Sequence, residues 1–410
     1  MFKDRLLEVL KKYVQIESGG SFTSNTSPST QTQVEFAKVL VEDLKAIGAQ
    51  DIKLDKDGYV YATLPATTDK KVPTIGFMAH MDTYPEGTIG RKVVPQLHKN
   101  YQGGDIVVSK ERDVIITPFK APLLKHCIGH DILTASGDTL LGADDKAGIA
   151  MIMVFAEHLI KHPEIKHGAI KIAFTPDEEI GNGPAKFDVK GYGADFAYTL
   201  DGECNEGVVA ENFSAATVNI SVKGVQSHIG YAKNIMVNPV RVLSDIIAAW
   251  PENKLPETTQ DREGFIVFID TKANFEKGEA TAMVRNFDDN LLRQDIALLE
   301  AIVAEKRLKY PTTTIDFKVK FTYKNMKPMI DKNPLPMDLA IEALRQEGVN
   351  EIGVPMRGGT DGARLSFMGL PTPNLDAGYS LPHGPFEWCS IDQMQKIVNA
   401  MIRMIENNAK

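Results

Sequence analysis

Cysteine and tryptophan are scarce, at 3 and 2 of 410 residues. Cys127, Cys204 and Cys389 lie far apart and form no C-x-x-C pair. That excludes a disulfide framework and fits a reducing compartment, so the expected location is cytoplasmic. No block rich in Lys or Arg occurs, and 46 basic against 54 acidic residues leave a net charge of −8. This balance argues against nucleic-acid and anionic-membrane partners. No apolar run approaches the ~20 residues that cross a bilayer. The longest, Gly148 to Ile160, is broken by Glu157 and His158. The N-terminal MFKDRLLEVLKKYV carries charge through its apolar positions, unlike the core of a signal peptide. The phosphate-cradling G-x-x-x-x-G-K-[ST] and the nucleophile elbow G-x-S-x-G are both missing.

What remains is a globular composition, 43% hydrophobic and 24% charged. The length is enough for two or three domains at ~150 residues each. Up to about residue 210, helical and strand patterns alternate. Val34, Ala37, Leu40, Val41, Leu44 and Ile47 keep helical spacing, with Gly48 as a stop. Short apolar runs at Thr74–Ala79, Ala169–Thr175 and Asp195–Leu200 read as strands, with a helix from about Lys146 to Ile160 between them. Alternation of this kind predicts a layered α/β domain with a mostly parallel central sheet.

After residue 212 the order becomes β-α-β-β-α-β. Val218, Ile220 and Val222 alternate, and a helix runs from Pro239 to about Trp250. Strands follow near Gly264–Ile269 and Glu279–Phe287, then a helix from Asp289 to Leu308 and a strand over Ile315–Phe321. That is the order of a ferredoxin-like unit. The α/β pattern resumes near Pro334, and Ser390-x-x-Gln393 is a capping-box sequence opening the last helix. The expected architecture is a discontinuous catalytic domain, 1–212 and 326–410, with an inserted α+β domain over 213–325.

Acids and histidines fall at strand ends. His80 and Asp82 follow the strand TIGFMA, Glu178 and Glu179 follow AIKIAFT, and Asp201 follows DFAYTL. Open parallel sheets place their sites at the carboxyl ends of strands. Asp144 and Asp145 open the helix in LLGADDKAG, and His383 stands in the Pro/Gly-rich loop LPHGPFEW. Any one of these alone has an ordinary reading, as a loop, a solvated pair or an N-cap. Together, Asp144, Glu178, Glu179 and Asp201 would put about four negative charges in one cleft, a prohibitive arrangement without compensation. Two divalent cations would supply it, and imidazole with carboxylate suits zinc, cobalt or manganese. In the Glu178–Glu179 pair, one carboxylate can bind metal while the other moves a proton. His158-x-x-x-His162 has ligand spacing but lacks the Glu of H-E-x-x-H, and reads as surface.

These residues resemble, in order, the pattern of the M20 metallopeptidase family: HMDT at His80–Thr83, GADDKAG at Gly142–Gly148, TPDEEIG at Thr175–Gly181, TLDG at Thr199–Gly202, and the late His383. PQLHKNYQGGDI (Pro95–Ile106), TLLGADDKAGIA (Thr139–Ala150) and RGGTDGARLSFMGLPTPN (Arg357–Asn374) are similar to its aminotripeptidase branch. The resemblance implies two zinc ions bridged by Asp144. His80 and Asp201 would complete one ion, Glu179 and His383 the other. It implies Asp82 hydrogen-bonding the His80 ring and Glu178 as general acid/base. His228, on the inserted domain, would polarise the scissile carbonyl, and Arg357 would clamp the peptide carboxylate.

The implied activity is release of the N-terminal residue from small tripeptides, with the inserted domain acting as a lid. A homodimer, with His228 acting across it, stays open. Alternatives are an M20 dipeptidase, an N-acyl-amino-acid deacylase or, from a different class, a non-catalytic metal- or peptide-binding protein. Tyr84, Glu203, Ile229 and Leu381 depart from the family pattern while every ligand and the base are kept.

Overall fold

The computed structural model describes residues 2–85, 87 and 91–410. The chain divides into two compact units: Met1–Ala210, Met326–Val354 and Thr360–Lys410 form the first, and Glu211–Asn325 with Pro355–Gly359 the second.

The first unit is built on a ten-stranded sheet. Its middle is parallel: Ile170–Thr175, Ile75–His80, Phe196–Glu203 and Asn374–Ser380 lie side by side in that order. Every residue of Ile75–His80 and of Asn374–Ser380 is buried. That is why these stretches lack alternation, since both faces of a parallel sheet are covered. The flanks differ from expectation. Gln50–Leu54 and Val60–Leu64 on one side, and Trp388–Ser390, Ile132–Thr134 and Gln96–His98 on the other, are all antiparallel. Antiparallel neighbours need no helical crossover, so short strands can extend the sheet at its edges.

The helix Ala143–Lys161 is buried from Ala143 through Ala156. It packs against Ile75–His80 and between the helices Lys3–Val14 and Ile391–Asn408. Enclosed as far as Ala156, this stretch has no solvent-facing side, and each buried Leu, Ile, Met or Phe contributes roughly 1.5–3 kcal/mol. Gly148 brings it close to the strand Phe196–Glu203: a Cβ there would lie 2.3 Å from the Leu200 carbonyl oxygen. At the end of the last strand, Ser390 Oγ accepts from the Gln393 N–H at 3.1 Å. The reciprocal half of the expected capping box does not form, because the Gln393 amide turns to the Asp376 carboxylate at 2.7 Å.

In the second unit, four antiparallel strands run in the order Phe265–Ala273, Lys277–Asn286, Ser214–Lys223, Ile315–Tyr323. The helices Pro239–Ile247 and Asp289–Lys309 pack on the sheet over a core of Val218, Ile220, Ile246, Ile266, Leu299 and Val303. Pro355–Gly359, expected with the catalytic domain, belongs here. The Phe213 N–H donates to the Met356 carbonyl at 3.1 Å, and the Met356 N–H to the Glu211 carbonyl at 2.9 Å.

Candidate metal centre

Three central strands and one helix start deliver acids and imidazoles to one place. His80 ends its strand, and its Nε2 is 2.8 Å from Asp144 Oδ1 and 3.5 Å from Asp201 Oδ1. The other oxygen of Asp144, Oδ2, lies 3.2 Å from His383 Nε2. His383 Nε2 is also 2.9 Å from Glu179 Oε2. Asp144 thus turns one oxygen to each imidazole. It can do so because Gly142, at φ 76°, makes a left-handed turn just before it. The Asp144 and Asp145 backbones are not yet helical, and the peptide between them is cis.

The Asp145 carboxylate accepts from the N–H groups of His80 and Gly148 at 3.2 and 3.1 Å. Ligand atoms of His80, Asp144 and Glu179 lie within 4.8 Å of one another, as do those of His80, Asp145 and Asp201. His158 and His162 form no such group: their rings meet each other at 4.4 Å, and His162 pairs with Glu164.

Asp82 takes a different part from the one expected. It is the Asp82 backbone carbonyl that stands 3.0 Å from His80 Nδ1, while the nearer carboxylate oxygen is 3.5 Å away. The carboxylate instead accepts from the N–H groups of Glu178 and Glu179, at 2.9 and 3.1 Å. It therefore positions both glutamates, and the ring is oriented by main chain.

Two residues with no sequence signal complete the frame. The Tyr379 hydroxyl donates to Asp201 Oδ1 at 2.8 Å. Glu387, buried, accepts from the N–H groups of Leu141, Gly142 and Asp144 at 2.7, 2.8 and 3.1 Å, holding the turn that aims Asp144. Leu381, a departure from the family pattern, has φ 54°. That conformation costs a branched residue about 1–2 kcal/mol. The side chain recovers contact by packing on the apolar cluster around Trp388.

The electrostatics match the crowding. Burial works against charging the imidazoles, yet hydrogen bonds to Asp144 and Asp201 raise His80 well above its ordinary pKa. His383 is likewise pushed against burial to about 10 by Asp144 and Glu179. Burial and the Asp144 charge lift Glu179 to about 8. Glu178 is raised well above the carboxylate range by burial and by repulsion from Asp201, Asp361 and Glu179, against the attraction of His80.

The cluster gathers more acid than base from the described side chains. Lys146, the basic residue of the motif, does not help, since its Nζ turns to the Ile16 carbonyl at 2.6 Å and sits over the Phe36 ring. Glu179 Oε1 is a buried acceptor without a hydrogen-bond partner among the described residues. Oxygen and nitrogen donors, an orphaned carboxylate oxygen and, among the described residues, no ammonium paired with them make a set that fits divalent cations.

The peptidase family M20/M25/M40 matches residues 140–407. Peptidase T of Geobacillus thermodenitrificans is 44% identical over 404 residues, 98% of each chain. Peptidase T of Clostridium botulinum (strain Loch Maree) is 44% identical over 401 residues, again 98% of each. The chain belongs to peptidase family M20/M25/M40. With relatives named Peptidase T at this identity, it is a hydrolase, a metallo-aminopeptidase whose centre takes two divalent ions.

Solved structures agree on the fold of this M20 peptidase. The aminopeptidase PepT of Bacillus cereus has a TM-score of 0.77 at 23% identity, over 100% of this chain and 99% of that one. A dinuclear metal binding peptidase of the M20 family from Bacillus subtilis has a TM-score of 0.68 at 14% identity, over 100% and 98%. No described helix of the M20 chain is long and apolar enough to cross a membrane.

The other two expected site residues lie in the second unit of the peptidase. His228 is exposed, and its Nδ1 accepts from the Gly230 N–H at 3.2 Å, so in the neutral ring Nε2 carries the hydrogen. Arg357 is committed where it stands. Its Nη1 donates to the carbonyls of Asp261 and Glu263 at 2.9 and 3.0 Å, and its Nη2 to the carbonyl and hydroxyl of Thr259 at 3.4 and 3.0 Å. The guanidinium also sits over the rings of Phe213 and Phe265. These contacts occupy the Nη1 and Nη2 donors and leave the Nε–H, so the expected two-point clamp on a peptide carboxylate would require the guanidinium to release main-chain carbonyls. Arg357→Ala should lower thermal stability, by about 1–3 kcal/mol for the abandoned carbonyls, with the KM for peptide little changed. A large rise in KM without a stability loss would restore the clamp.

Proposed function

We propose that this chain is a dizinc aminopeptidase that releases the N-terminal residue from tripeptides. The carrying observation is Asp144, with one oxygen facing His80 and the other His383. Asp144 would bridge two ions, with His80 and Asp201 on one and Glu179 and His383 on the other. When bound, the ions supply Lewis acidity for a carbonyl and lower the pKa of a water.

The protein does the proton handling. Glu178 lies in a narrow crevice with His80, Asp201 and Asp361. There it takes a proton from the attacking water and delivers it to the leaving amine. Burial and the neighbouring carboxylates raise its pKa, which favours holding the proton for delivery, and bound cations would draw it back toward the base form. Asp82 fixes the Glu178 and Glu179 backbone, so base and ligand keep a constant relation. His228, with Nε2–H as donor, polarises the scissile carbonyl; this role rests on the family resemblance. The three free, buried cysteines support a cytoplasmic location.

The test is a substrate panel on zinc-loaded protein: a free tripeptide, the same tripeptide N-acetylated, and the matching dipeptide. The proposal expects the free tripeptide to be cleaved at its first bond and the acetylated one to be refused. Preference for the dipeptide or the acetylated peptide would move the assignment to a dipeptidase or a deacylase.

A further inference from the structure

Three aromatic rings lead from the surface to the metal centre. Thr83, immediately after Asp82, has its main chain held on both sides: its N–H donates to the Ser18 carbonyl at 3.2 Å, and its carbonyl accepts from the Gly20 N–H at 3.0 Å. The Ser/Thr-rich loop that begins there is tied at its far end by Asp177, whose carboxylate accepts from the Ser29 N–H at 2.9 Å and the Gln33 amide at 2.8 Å. Between these anchors Phe22 stands 57% exposed. Its ring meets Tyr84 edge-on, with centroids 5.8 Å apart and planes at 73°. Tyr84 in turn lies flat on the His383 imidazole, 4.5 Å away at 13°. His383 is itself partly open, its side chain 43% exposed.

A single exposed phenylalanine needs no explanation. This one is held by two anchored segments against a ring that stacks on a candidate metal ligand, so the apolar surface is continuous with the site. A free-amine substrate cleaved at its first bond presents the carbonyl of residue one to the metals. The side chain of that residue then branches from the carbon next to that carbonyl, beside the ligands. Tyr84 stands 4.5 Å from His383 and Phe22 a further 5.8 Å out, so a side chain entering from the site meets Tyr84 first and only a large one extends toward Phe22.

We propose that Phe22 and Tyr84 form an apolar shelf that receives the side chain of the substrate's N-terminal residue. The enzyme therefore favours tripeptides that begin with a large apolar or aromatic residue. Tyr84 also positions the His383 ring by stacking. The proposal rests on the aminopeptidase reading, and its test is kept separate from turnover.

Metal-loaded Glu178→Gln protein is titrated calorimetrically with Phe-Gly-Gly and with Gly-Gly-Gly. The shelf predicts about tenfold tighter binding of Phe-Gly-Gly, the scale expected of an apolar side chain in its subsite. Adding Phe22→Ala should bring the two peptides within about threefold of each other, since the ring surface is what separates them. Tyr84→Ser should do the same and also loosen metal retention in chelator competition. Tyr84→Phe, which keeps the ring, should restore both. Equal affinities in the Glu178→Gln protein, or a preference untouched by Phe22→Ala, overturns the shelf. If the preference holds but wild-type protein turns over no tripeptide, the aminopeptidase reading fails and the shelf stands as a peptide-binding surface.

Discussion

Glu178→Gln leaves the metal content of the loaded enzyme unchanged while kcat falls by between a hundredfold and ten-thousandfold, roughly the worth of a general acid/base. The amide keeps the size and the main-chain anchor of the glutamate, because Asp82 holds residue 178 through its backbone N–H. What it loses is the ability to take up a proton. Among the described residues, its carboxylate neighbours Asp145 and Asp361 already hold hydrogen bonds of their own. Asp145 is committed to two backbone N–H groups, and Asp361 accepts from the Thr175 hydroxyl at 2.8 Å. Steady-state kinetics beside elemental analysis of the same sample decides the matter. Near-normal turnover would remove Glu178 from the role of base, and loss of metal would make it a ligand.

Asp144→Ala is expected to abolish metal binding altogether, where Asp201→Ala should leave about one ion per chain. The difference follows from geometry. Asp144 offers one oxygen at 2.8 Å to His80 and the other at 3.2 Å to His383, so its removal takes a donor from each half. Asp201 faces His80 alone of the two imidazoles. Loss of one bridging carboxylate also removes charge that both halves share, so the ions do not leave independently. Elemental analysis after dialysis reads both variants. Two ions retained by Asp144→Ala would refute a bridge.

Much of this was readable in the sequence, for reasons that are physical. The central strands appear as short apolar runs because they are buried on both faces. The acids and histidines stand out because each follows directly on such a run. The antiparallel flank beyond Asn374–Ser380 was not readable: Gln96–His98, Ile132–Thr134 and Trp388–Ser390 are three residues each, too short to show a period. The acceptors around Arg357 were equally hidden. They are mostly main-chain carbonyls nearly a hundred residues away, and a sequence does not display where those converge. Asp82 stood out in the sequence by following His80 at a strand end, but which of its oxygens faces His80 depends on the turn after the strand. Tyr379 carries no charge in a buried strand. Glu387 gains meaning only once the N–H groups of Leu141, Gly142 and Asp144 point at it.

The central claim is that one cluster, with Asp144 at its middle, needs two ions to cleave a peptide. Metal-free protein is therefore titrated with zinc while tripeptide hydrolysis and bound metal are followed in the same solution. The account predicts no hydrolysis without metal, and activity that reaches its plateau as bound zinc approaches two ions per chain. Full activity with no metal, or a plateau at one ion with Asp144 intact, would contradict it.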